Sequence, residues 1–229
     1  MKLCIRALYC ALWLPVAAFA GVDKVYEPYV ELNELEIETR GIHQFGDEDS
    51  HEVKFGAGYG VSAKWFFEAY LVAEKEPGED AEVEELEIES RFQLTEQGQY
   101  WADFGALVEL EKVLEDDVWE LKAGPIIQKE FTNKWVGTLN ILFEKQFGDD
   151  KTEDELETLA AARVKYRMSP FLQPAAEFYT DEHTKALGPV LLGETRWGKT
   201  PMKWVIGVLA GLNDDTADTI LRWELEWEY

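Results

Sequence analysis

Residues 221–229 read LRWELEWEY. Leu221, Trp223, Leu225, Trp227 and Tyr229 occupy one phase of a period-two pattern, and Arg222, Glu224, Glu226 and Glu228 occupy the other. Wound as a helix, the segment would scatter carboxylates around every face. Drawn out as a strand, it has one apolar face and one charged face. The pattern recurs upstream: Leu86, Ile88, Phe92 and Leu94 alternate with Glu87, Glu89, Arg91 and Gln93. Val53, Phe55, Ala57, Tyr59 and Val61 likewise alternate with Lys54, Gly56, Gly58 and Gly60. Twelve such blocks are predicted as strands, at 34–45, 51–61, 65–75, 84–94, 101–111, 118–130, 135–146, 157–167, 171–180, 185–197, 202–212 and 217–229.

The connections alternate in kind. Acidic loops follow the odd strands, among them GDEDS (46–50), EPGEDAEV (76–83) and GDDKTEDEL (148–156). Tight links follow the even strands, among them SAK (62–64), TNK (132–134) and MSP (168–170). An even count of antiparallel strands, with short turns at one end and longer polar loops at the other, is the plan of an outer-membrane barrel. The predicted fold is therefore all-β: a twelve-stranded up-and-down transmembrane β-barrel over 34–229, with short periplasmic turns and acidic extracellular loops. Tryptophan placement supports it. Trp65, Trp101, Trp135 and Trp204 open strands beside tight links, and Trp197 and Trp227 close strands on that side. Aromatic residues gathered at one rim are read as membrane anchors at headgroup level. Pro125, Pro174 and Pro189 fall inside predicted strands, and the pairs Gly124-Pro125 and Gly188-Pro189 suggest bulges.

The chain resembles Gram-negative outer-membrane β-barrels in its last strand. Trp223, Leu225, Trp227 and the terminal Tyr229 match the insertion signal of that class, which implies recognition by the barrel-assembly machinery. The QFGD strand ends (44–47 and 146–149), the LGPVL segment (187–191) and the GLND turn (211–214) also resemble uncharacterised channels grouped with phenol-degradation outer-membrane proteins. That second resemblance brings no matched functional residues.

Residues 1–20, MKLCIRALYCALWLPVAAFA, carry Lys2 and Arg6, an apolar run, and Ala18-Phe19-Ala20 before Gly21. These features predict a cleaved secretory signal peptide and hence export to the bacterial outer membrane. Residues 21–33 are then left as a periplasmic N-terminal segment ahead of the barrel. Cys4 and Cys10 both lie within the first twenty residues, so no disulfide or thiolate metal site is expected beyond them.

Acidic residues number 46 against 22 basic ones, for a formal charge of −24. Nucleic acid is an unsuitable partner for such a surface. The expected partners are outer-membrane lipid, lipopolysaccharide and a small-solute cargo. No enzyme is expected. His43, His51 and His183 and the serines Ser50, Ser62, Ser90 and Ser169 offer no nucleophile and base at a productive spacing. No cofactor is expected either, and no dedicated metal site; loosely bound divalent cations at the acidic loops are the one allowance.

The polar phase of each strand should face the lumen. It supplies Glu36, Glu38 and Arg40 from the first strand, Glu87, Glu89 and Arg91 from the fourth, Arg163, Lys165 and Arg167 from the eighth, and Arg222, Glu224 and Glu226 from the last. Phe66, Tyr70 and Tyr179 share this phase. Two functions follow. If water separates the acidic and basic walls, the barrel is a narrow channel for passive diffusion of small solutes, with cation preference. If the same residues fill the interior, it is a structural, adhesion or binding protein acting through its acidic loops.

Overall fold

A computed structural model describes residues 21–46, 49–75 and 81–229. The expected signal peptide, the Asp47-Glu48 pair of the first loop and residues 76–80 of the second lie outside them. The strands are β1 (Leu35–Phe45), β2 (Ser50–Ser62), β3 (Trp65–Lys75), β4 (Glu82–Gln93), β5 (Asp103–Val113), β6 (Trp119–Glu130), β7 (Trp135–Phe147), β8 (Glu157–Tyr166), β9 (Gln173–Thr180), β10 (Lys185–Trp197), β11 (Thr200–Gly211) and β12 (Thr219–Glu228). Each pairs antiparallel with its sequence neighbours, and β1 pairs with β12 to close the barrel. Closure leaves no free edge, the condition under which a sheet can cross a bilayer.

Alternation decides which side each residue takes. In β2, Glu52 and Lys54 are buried while Val53, Phe55, Tyr59 and Val61 are exposed. In β4, Glu87, Glu89 and Arg91 are buried while Leu86 and Ile88 are exposed. A water-soluble protein places these classes the other way round. The outward belt continues through Phe67, Leu71, Val108, Leu139, Val164, Leu191 and Ile206, which is a surface suited to lipid tails. At the tight-link end, ring pairs line the rim: Trp65 stacks on Phe92 at 6.3 Å, Trp135 meets Tyr166 at 4.9 Å, and Trp204 meets Phe171 at 5.8 Å. Trp101 and Trp197 stand out from the same end. Trp119 stacks on Phe147 at the opposite end.

The glycine–proline pairs do not form the expected bulges. Pairing continues in unbroken register on either side of Gly124-Pro125 and Gly188-Pro189. A Cβ on Gly124 would lie 1.9 Å from the Ile141 carbonyl oxygen, and one on Gly188 would lie 2.0 Å from that of Val208. The neighbouring strand thus moves in against the bare glycine backbone beside a proline that has no N–H to donate. Register shifts occur instead at Gly60/Ser62 and Val72/Ala73.

The seam ends on Tyr229, whose N–H donates to the Leu35 carbonyl while the Leu35 N–H donates to the Tyr229 carbonyl. Removing residues 227–229 deletes these bonds and the Ile37–Trp227 and Glu36–Glu228 rungs. It is expected to lower the fraction of refolded protein that shows heat-modifiable mobility on gels. An unchanged fraction would mean that the seam closes without its last turn of pairing.

Candidate functional site: a charged lumen with an inserted segment

The segment 21–33, expected to lie in the periplasm, runs through the barrel. It leaves β1 at the tight-link end, where the Asn33 N–H donates to the Gly60 carbonyl at 2.9 Å, and climbs toward the loop end. Two inward glycines mark its path. A Cβ on Gly60 would meet the Glu31 carbonyl oxygen at 1.8 Å, and one on Gly105 would meet the Pro28 Cβ at 2.8 Å. Higher up, Val22 and Val25 pack with Ile42, Tyr179, Ala186, Val190, Leu209 and Ile220, while Tyr26 packs with Leu107 and Ile126.

The segment carries its own counter-charge to each wall. Lys24 pairs with Glu38 and lies 3.8 Å from both Glu224 and Glu226, so one ammonium sits among three carboxylates of the β1–β12 seam. Asp23 meets Arg40 at 2.8 Å and Lys54 at 3.4 Å. Glu27 pairs with Lys165 and lies 3.7 Å from Arg163. Neutral groups fix the register between these pairs. Asn140 accepts from the Tyr26 N–H at 2.8 Å and donates to the Tyr26 carbonyl at 3.0 Å, as a paired strand would. The Tyr26 hydroxyl donates to Glu89 at 2.6 Å, and the Tyr29 hydroxyl donates to Asp103 at 2.7 Å while accepting from Gln128 at 2.8 Å.

The walls also pair among themselves. Arg40, 2% exposed, contacts Glu38 at 2.7 Å, Glu87 at 3.2 Å and Glu89 at 2.9 Å, and lies over the Tyr70 ring at 4.4 Å. Glu177 bridges Arg163 at 2.6 Å and Arg222 at 2.7 Å, and Arg222 reaches Glu224 at 3.0 Å. Arg91 lies over Phe66 at 5.0 Å, with Glu68 at 4.0 Å.

Eleven of the twelve residues expected at the lumen, all but Arg167, are buried on the inner face. Arg167 lies beyond the end of β8 and pairs with Glu130 at 2.7 Å on the rim, part-exposed. The expectation that basic and acidic walls face each other across water also changes: the inserted segment stands between them, Lys24 toward one and Glu27 toward the other. Sequence reasoning missed Asn140, Glu177, Lys54, Asp103 and Gln128 as partners within the lumen. The inward run Gly56, Gly58 and Gly60 was the available signal. The first two are covered by Tyr70 and Phe66, and the third by the segment itself.

No protein-family profile matches the chain, and no curated protein matches it. Solved structures share the fold. The COG4313 outer membrane channel from Pseudomonas putida F1 aligns over 91% of this chain and 100% of its own, at 12% identity and a TM-score of 0.65. The KdgM porin aligns over 85% of this chain and 99% of its own, at 11% identity and a TM-score of 0.59. A second structure of that porin, in complex with disordered oligogalacturonate, aligns at 9% identity and a TM-score of 0.57. The chain therefore has the barrel fold of outer-membrane channels.

Proposed function

We propose that this chain is an outer-membrane channel for passive diffusion of small solutes, cation-preferring, whose resting lumen is occupied by its own residues 21–33. The observation that carries the reading is the nature of the filling. Inward side chains pair around the wall, as Arg40 does with Glu89 and Arg222 with Glu177, but the middle of the lumen is taken by chain rather than by wall side chains. A single extended segment lies there, held by ion pairs and hydrogen bonds that water can replace and by apolar contacts of Val22, Val25 and Tyr26. Carboxylates outnumber cationic groups among the buried residues of the wall. A lumen of that sign concentrates cations and repels anions. A polyuronate such as the one bound to the KdgM porin is consequently an unsuitable cargo here.

Planar-bilayer conductance of the refolded chain, with reversal potential read in a salt gradient, tests this. Discrete steps and a cation-directed potential are expected. Silence from folded protein would favour the filled-barrel reading, in which the acidic loops do the work. Replacing Arg163 and Lys165, the two basic residues of β8 that do face the lumen, with Gln should move the potential further toward cations, because the wall then keeps its carboxylates and loses two of its cations. Equal potentials in the two proteins would remove these two residues from the conduction path.

A further inference from the structure

The β1–β12 seam places like charges opposite one another at two inward rungs. Its inward rungs are Arg40–Glu224, Glu38–Glu226 and Glu36–Glu228. Facing carboxylates repel, and a buried one without a partner is expensive to keep ionised. The upper two rungs are neutralised from within the chain, by Arg40 and by Lys24. The lowest rung is neutralised on one side alone. Glu228 reaches Lys203 at 2.5 Å. Among the described residues, Glu36 and its neighbour Glu34 have no cationic side chain within 4.0 Å. Glu36 is 2% exposed, and its Oε2 is buried with no hydrogen-bond donor.

These carboxylates converge. One oxygen each from Glu34, Glu36 and Glu228 can be chosen so that all lie within 4.8 Å of one another. Calcium–oxygen distances are about 2.4 Å, so ligands on opposite sides of such an ion are about 4.8 Å apart. Glu34 and Glu36 also line a cavity of about 270 Å³ between the inserted segment and the wall, with Lys24, Arg91 and Glu226 around it. Water could complete the coordination there. We propose that Glu34, Glu36 and Glu228 form a divalent-cation site at the tight-link mouth of the barrel, taking a hard ion such as Ca2+. The ion supplies the charge that Lys24 supplies one rung higher. Lys203 is a tethered competitor for the same oxygens, since it contacts Glu226 at 2.8 Å as well as Glu228.

The site lies at the opposite end from the acidic loops, and it does not require that the barrel conduct. The test is calorimetric titration of Ca2+ into chelator-treated, refolded full-length mature chain. About 0.5 M NaCl is included to screen loosely held ions at the loops. One site per barrel is expected. Glu36→Gln should weaken it by at least about tenfold, with heat-modifiable mobility retained because an unpaired charge has been removed. Glu34→Gln, at the more open edge, provides a second variant if the first folds poorly. Lys203→Gln should tighten Ca2+ binding, a gain that general damage to the barrel would not produce. The proposal is overturned if the native chain binds no Ca2+ in that salt. It is equally overturned if Glu36→Gln and Glu34→Gln bind as the native chain does, which would place the ion at the loops.

Discussion

A chain beginning at Glu34 is expected to show single-channel conductance several-fold above that of one beginning at Gly21, in the same bilayer and salt. Residues 22–29 occupy the lumen from the Ile42–Ile220 level down to Asp103 and Gln128. The inward glycines beside the path, Gly60 and Gly105, put no side chain of their own into the space that Glu31 and Pro28 vacate. Removing the segment therefore opens a water-lined path rather than letting the wall collapse, because a closed twelve-strand ladder fixes the barrel's diameter. The charges it uncovers can hydrate: Lys54 retains Glu87 at 2.6 Å, and Arg163 retains Glu177 at 2.6 Å. The converse variant locks the segment in place. A Cβ on Gly105 would lie 2.8 Å from the Pro28 Cβ, close enough that small shifts would allow a disulfide between Pro28→Cys and Gly105→Cys. Beyond residue 20 the chain has no other cysteine to compete. Oxidised, this variant should conduct no better than the native chain under any voltage, and reductant should restore native behaviour. Equal conductance of the truncated and intact chains, both folded, would show that the segment does not limit permeation.

The strands were legible because charge and apolarity alternate on them with few interruptions, such as Ser90 on the apolar phase of 84–94. Residues 84–94 and 221–229 admit no helical reading, and the structure pairs both in the expected direction. The inward phase was legible for the same reason, which is why Glu36, Glu38, Arg40 and Glu224 lie on the inner face as expected. Strand ends were less so. Trp101-Ala102 belongs to the turn between β4 and β5, and Phe171-Leu172 to that between β8 and β9, because rim aromatics continue the apolar pattern past the last ladder bond.

Residues 21–33 were illegible for a different reason. GVDKVYEPYVELN has neither strand alternation nor a helical stripe, and Pro28 interrupts it. Its partners lie on β1, β2, β4, β5, β6, β7, β8 and β12, far apart in sequence. Complementarity of that kind exists only once the barrel has closed. A facing pair such as Glu38–Glu226 can be read from register and shows that a cation is needed. It does not show that the cation is Lys24.

Among single substitutions in the lumen, Arg40→Gln is expected to cost the most stability. Removing one member of a buried ion pair costs about 3–5 kcal/mol, because the other charge is left without compensation. Arg40 serves Asp23, Glu38, Glu87 and Glu89 together. Three of them have a second cation: Lys54 for Asp23 and Glu87, and Lys24 for Glu38. Among the described residues Glu89 has no second cation within 4.0 Å, and it accepts from the neutral Tyr26 hydroxyl. The loss should therefore concentrate on Glu89, and Arg40→Gln/Glu89→Gln should recover a large part of it. Lys24→Gln, by contrast, should loosen the inserted segment while leaving the barrel's own ladder intact, so it changes conductance more than unfolding. Urea unfolding of the native chain, Arg40→Gln, Glu89→Gln and the double variant in one detergent, analysed as a double-mutant cycle, measures the Arg40–Glu89 coupling directly. A coupling near zero would assign the role of Arg40 to its packing over Tyr70 instead, and Arg40→Lys, which keeps the charge but loses the planar stack, would then be as damaging as Arg40→Gln.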